Sequence, residues 1–129
     1  MTSDFELIPG VASAATSKAG DELTFPFPEV LDVIKLCSKN LIAVLGPDLF
    51  KITSHGLYQT EKLSGYHLEI KIHPQRIEEW PEYVRINNML AEEFIRQNPA
   101  GDDHVYILTT ASWREFCRIQ EMRAGGWPG

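Results

Sequence analysis

The chain has 129 residues, 43% of them hydrophobic and 23% charged, a composition that suits an ordinary folded domain and argues against a fibrous or disordered body. Eighteen Asp and Glu against 12 Lys and Arg leave a net charge of −6, which speaks against nucleic acid as a partner, because phosphate neutralisation needs clustered bases. No stretch approaches the ~20 consecutive apolar residues of a membrane-spanning helix, so no membrane partner is expected.

In chain order, residues 1–23 contain "GVASAATSKAGDE", a run of small and polar residues without sustained period, and are expected to form a flexible leader in which Phe5, Leu7 and Ile8 dock locally. The opening residues lack a basic leading segment and interrupt their apolar stretch at Pro9, so a secretory signal is not expected and the expected compartment is the cytoplasm. Residues 24–125 read as a single domain, and residues 126–129 as a tail. A first helix is expected from Pro28 to Lys39, where Val30, Leu31, Val33, Ile34 and Cys37 recur on one face and Asn40 provides a stop.

Four short strands should follow, at Leu41–Leu45, Leu49–Thr53, Leu57–Lys62 and Tyr66–His73, separated by the turn signals Gly46-Pro47-Asp48, Ser54-His55-Gly56 and Ser64-Gly65. In the last of them Tyr66, Leu68, Ile70 and Ile72 alternate with His67, Glu69, Lys71 and His73, which predicts one buried and one wet face. A long helix begins around Trp80-Pro81 with the apolar stripe Trp80, Tyr83, Val84, Leu90, Ala91, Phe94 and Ile95, and "NPAG" ends it. Asn87 falls on that stripe and is expected to be hydrogen-bonded internally. A fifth strand, "HVYILTT", and a third helix, Trp113 to Arg123, complete an α+β domain: a mainly antiparallel sheet of about five strands, a four-stranded meander plus one, covered by three helices.

The junction "HVYILTTASWREF" asks whether a helix N-terminus binds an anion. It has no glycine to let backbone approach a phosphate, whereas Ser112 followed by Glu115 matches a capping box, so a self-satisfied helix start is expected. His67, Glu69 and His73 share one face of a strand and form the candidate polar site of a small enzyme or a ligand- or metal-binding domain; Lys71 among them opposes a cation, and a solvated face is the simpler expectation. Cys37 and Cys117 have no CxxC partner and read as free thiols on helices, so neither a metal nor any other cofactor is expected. No P-loop, dinucleotide-binding, nucleophile-elbow or HExxH pattern occurs, which makes an enzyme the weaker expectation.

The charge excess is concentrated. Glu78, Glu79, Glu82, Glu92, Glu93, Asp102 and Asp103 face Arg85 and Arg96 alone in a 26-residue stretch that carries five of the six excess negative charges. Such a band suits docking to a basic protein, with Trp80 and Tyr83 as candidate anchors that also share the apolar stripe. The phrases "IAVLGPDLFKI", "SGYHLEI", "RINNMLAEEFIRQNP" and "HVYILTTASWREF", spread from Ile42 to Phe116, resemble the small acidic immunity proteins encoded beside secreted bacterial toxins. The resemblance implies a protein, monomeric or homodimeric, that neutralises a basic toxin domain by covering it through the seven acids. It lends no catalytic residue.

Overall fold

The computed structural model describes residues 3–15, 17–19, 22–62 and 74–125. Within them the elements are α1 (Val11–Ala14), β1 (Ser17–Ala19), β2 (Glu22–Thr24), α2 (Glu29–Lys39), β3 (Ala43–Thr53), β4 (Gly56–Lys62), α3 (Trp80–Gln97), β5 (His104–Ala111) and α4 (Trp113–Gly125). Three-residue 3-10 turns at Phe5–Leu7 and Ile77–Glu79 precede α1 and α3.

The architecture is α+β, but the five-stranded sheet under three helices is not what forms. The described residues hold a three-stranded antiparallel sheet in the order β4-β3-β5, a separate antiparallel pair β1-β2, and four α-helices. The main departure is at Gly46-Pro47, where a turn is expected and the chain runs straight through, so that two predicted strands are one 11-residue strand, β3. The reason lies in the ladder. Tyr106 of β5 exchanges both backbone hydrogen bonds with Phe25, at 2.7 and 2.9 Å, on the edge away from β3. Two residues on, Leu108 turns the same way, and Pro47 lies opposite Leu108, where no N–H toward β5 is needed. The glycine sits beside a bulge instead of a turn, since the pairing with β5 slips between Val44 and Gly46 and leaves Leu45 as the extra residue. The expected strand Tyr66–His73 and the tail containing Trp127 lie outside the described residues.

α3 packs on β3, and α2 on both α3 and β3. α2 buries Val30, Val33, Ile34 and Cys37, the i, i+3, i+4, i+7 stripe of an amphipathic helix, against Val44, Tyr106 and Leu108 of the sheet and Ala91 and Ile95 of α3. Residues 3–15, read in sequence as leader, supply Phe5, Ile8 and Val11 to this same core, with the Phe5 ring edge-on to Phe25 at 5.9 Å. These three recur every third residue, which brings them to one side of two short helical turns.

Two asparagines clamp the bulge to α3. Asn88 Oδ1 accepts the Val44 N–H at 2.8 Å, and its Nδ2 donates to Ile42 O at 2.9 Å and Ser38 Oγ at 3.0 Å. Asn87 Nδ2 donates to Val44 O at 2.8 Å and to Asn88 Oδ1 at 3.1 Å, while its own Oδ1 is buried without a partner. A bulge takes backbone groups out of the ladder, and here side-chain amides answer for them. Tyr106 fastens the far end of α3: its hydroxyl donates to Asn98 O at 2.7 Å and accepts Ala100 N–H at 2.8 Å, which fixes the loop leading into β5.

Candidate functional site

The start of α4 is closed by its own chain. Glu115 Oε1 accepts the Ser112 N–H at 2.9 Å and Ser112 Oγ accepts the Glu115 N–H at 3.2 Å, the reciprocal capping box expected from the spacing. Sequence spacing gave no sign of the third member. Asp4, far away in the chain, accepts a hydrogen bond from Ser112 Oγ and an ion-paired one from Arg114 at 2.6 Å, and its backbone N–H reaches Glu115 Oε2 at 3.4 Å. The Ser112 hydroxyl first, then the Arg114 guanidinium, hold the Asp4 carboxyl below the ordinary carboxylate value. A carboxylate of the chain itself thus sits against the Ser112 and Arg114 side chains at the start of α4.

The acidic residues divide into two sets. Glu79 is structural: its Oε1 accepts the N–H groups of Gln75 and Arg76, both at 3.1 Å, and closes the 3-10 turn. Glu82 is ion-paired with Arg85 one turn along, and Asp103 is hydrogen-bonded to the His104 ring at 2.7 Å, and each contact lowers the carboxyl's proton affinity. Glu92 is half-buried with one oxygen out of solvent and unpartnered. Glu78, Glu93 and Asp102 are exposed, Glu93 within 3.4 Å of Gln97 Nε2. Glu82 and Glu93 share the outward face of α3 but stand 11 residues apart, about 16 Å at 1.5 Å per residue. Arg85, Met89 and Arg96 lie on that face as well, with Met89 half-exposed. Glu78 and Asp102 flank opposite ends of the helix, so the structure does not gather the seven acids into one cluster.

The candidate enzyme site, His67, Glu69 and His73, lies outside the described residues. Among the described residues no group of three or more His, Cys, Asp or Glu is arranged to hold a metal ion. Cys37 is fully buried, which pushes its thiol up to about 12, and Cys117 is half-buried.

Sequence reading did not find an aromatic cluster where α3 and α4 begin. Trp80 stacks on Tyr83 at 5.3 Å and meets Phe116 at 5.1 Å and Trp113 at 5.5 Å. Trp80 and Tyr83 are buried, as core residues. Trp80 Nε1 donates to Leu41 O at 2.7 Å, which ties the cluster to the end of α2. Beside it opens a depression of about 390 Å³ with Leu41, Ile77, Pro81 and Trp113 on its apolar side and Asp4 and Arg114 at its polar side. Leu41 and Ile77 are 45% and 59% exposed, large apolar side chains left to solvent at one spot. The signal for this was present but unread, since Trp113 and Phe116 share a helical face and Trp80 precedes the helix-starting Pro81. Comparison with protein-family models, with curated proteins and with solved structures gives no match.

Proposed function

We propose that this chain is a binding protein of the immunity type, which neutralises a basic toxin domain by covering it and performs no chemistry itself. The supporting observation is the division of its polar groups. The buried amides, the capping box and Asp4 are bonded within the fold and Glu82 is paired with Arg85, while Glu78, Glu93 and Asp102 stand exposed along and beyond one 18-residue helix. Carboxylates spread along a rigid rod give a long-range negative field more than a tight local site, and such a field acts on encounter rate and on rejection of wrong partners.

The test uses basic protein domains encoded in neighbouring reading frames, produced separately and mixed with this protein in stopped flow at two salt concentrations. A genuine partner should associate more slowly at high salt, and the double reversal Glu78→Lys/Glu93→Lys should reduce the association rate by about tenfold at low salt. An association rate indifferent to both changes would remove the acidic helix from the interface.

A further inference from the structure

α4 differs from α2 and α3 in how little of it is enclosed. Those two helices each bury a full apolar stripe, whereas no described side chain of residues 113–122 is buried, and residues 118–122 are exposed throughout. The apolar hold on α4 is confined to its first turn. There Trp113 and Phe116, both half-buried, meet Trp80 at 5.5 and 5.1 Å, and Phe116 meets Tyr83 at 5.9 Å. The polar hold is narrower still. Among the described residues, the hydrogen bonds that join α4 and its cap Ser112 to another part of the fold all end on Asp4: Ser112 Oγ and Arg114 donate to the carboxylate, and the Asp4 N–H donates to Glu115 Oε2. Asp4 is mounted on a fixed base, because Phe5, Ile8 and Val11 after it are enclosed in the main core. An element with few enclosed apolar contacts opens before the rest of a fold does.

We propose that α4 is a lid hinged at Ser112, the single residue between β5 and α4, and closed by a catch on Asp4, and that it opens while α2, α3, β3 and β5 stay folded. Opening lifts Trp113 and Phe116 from Trp80 and Tyr83 and presents that stacked pair, buried when the lid is closed, at the start of the acidic helix. The catch is made of side chains that the capping box does not need: Glu115 and Ser112 close the helix start between themselves, so α4 keeps its own cap when Asp4 lets go. The lid rests on the packing of α4 and is independent of the function proposed above.

Native-state hydrogen exchange of the full chain in low urea tests this, read at the Phe116 and Cys117 amides, which fraying from the far end of α4 reaches last. Below the unfolding transition these two should exchange faster than the Val33 and Ile107 amides, at a rate that urea barely changes. Asp4→Ala should accelerate them at least threefold, because it removes contacts that exist only when the lid is closed. Arg114→Ala, at a side chain 69% exposed, should act in the same direction and decides on the same threshold should Asp4→Ala not fold. Asn88→Ala, whose lost bonds join α3 to β3 and α2 and survive the opening, should accelerate the Val33 and Ile107 amides and leave the α4 pair unchanged. The lid is overturned if the α4 pair shares the urea dependence of the core amides, if loss of the catch accelerates it less than threefold, or if Asn88→Ala accelerates it as much as the core.

Discussion

Asn87 and Asn88 are adjacent, identical and equally buried, yet their removal should have unequal consequences. Asn88→Ala deprives the Val44 N–H of its amide acceptor and removes the donor to Ile42 O and Ser38 Oγ, three bonds spanning α3, β3 and the end of α2. At about 1 kcal/mol net for each bond, with a further desolvation penalty for groups left buried, a loss of about 3 to 4 kcal/mol is expected. Asn87→Ala forfeits the bond to Val44 O and the weaker one to Asn88, but also deletes an oxygen that is buried and unbonded in the parent. Those effects oppose each other, and about 1 to 2 kcal/mol remains. Urea unfolding followed by tryptophan fluorescence and far-UV circular dichroism measures both, with a separation of about 2 kcal/mol between the variants as the decisive quantity. Equal losses, or a larger loss for Asn87→Ala, would mean that Asn88 is not what holds the bulge and that the amide assignments on α3 are reversed.

Other consequences are simpler to measure. Ser112→Ala should cost about 1 kcal/mol through the cap and raise the proton affinity of Asp4, whose chief hydrogen-bond donor it removes. Because the Asp4 carboxyl is held below its ordinary value of 3.8, the unfolded chain binds the proton more readily. Its contribution is therefore present above the unfolded value of 3.8 and lost as pH falls through the lower folded value, so parent and Asp4→Asn should differ in urea stability at pH 6 and by progressively less as the pH is lowered below 4. A thiol reagent at pH 8 should label Cys117 first and reach Cys37 only on unfolding, since Cys37 is fully buried and its thiol is pushed up to about 12; fast labelling of two thiols would contradict the packing of α2. Leu41→Gly should leave stability within about 1 kcal/mol of the parent, because release of a left-handed side chain, worth about 1 to 2 kcal/mol, offsets the lost half-burial of a leucine and the added freedom of glycine.

Elements governed by local pattern were legible in sequence. α2 and α3 follow from their apolar spacing, and the Ser112–Glu115 cap from a three-residue interval. The errors arose where a local signal is answered by something remote. Gly46-Pro47 has the chemistry of a turn, but Phe25 draws the β5 backbone outward and gives the proline a position where its missing N–H does no harm. Asn88 then meets the backbone of the adjoining bulge from 44 residues away. In the leader, where local docking of Phe5, Leu7 and Ile8 is expected, Phe5, Ile8 and Val11 enter the core, and what the sequence does not signal is Asp4, whose partners lie more than 100 residues on. Long-range pairings of this kind leave no periodic trace.

The acidic band was legible in sequence as a density, and the partners of its members only in part. Three of its members have partners close in sequence: Glu79 takes backbone N–H groups three and four residues back, Glu82 has Arg85 three residues on, and Asp103 has His104 beside it. An i, i+3 comparison would have discounted Glu82 before any fold was known. The net field that survives is carried mainly by Glu78, Glu93 and Asp102, set along a helix about 27 Å long. Exposed charges at such spacing, in water, accelerate encounter but contribute little to the lifetime of a complex. Lasting association requires desolvated apolar contact, which the outward face of α3 offers only at Met89. The described surface presents more of it at the helix's first turn, where Leu41, Ile77 and Trp113 surround one depression beside Glu78. In the proposed interface the acids therefore govern association, so substitutions among them should appear in the on-rate and leave the off-rate nearly unchanged.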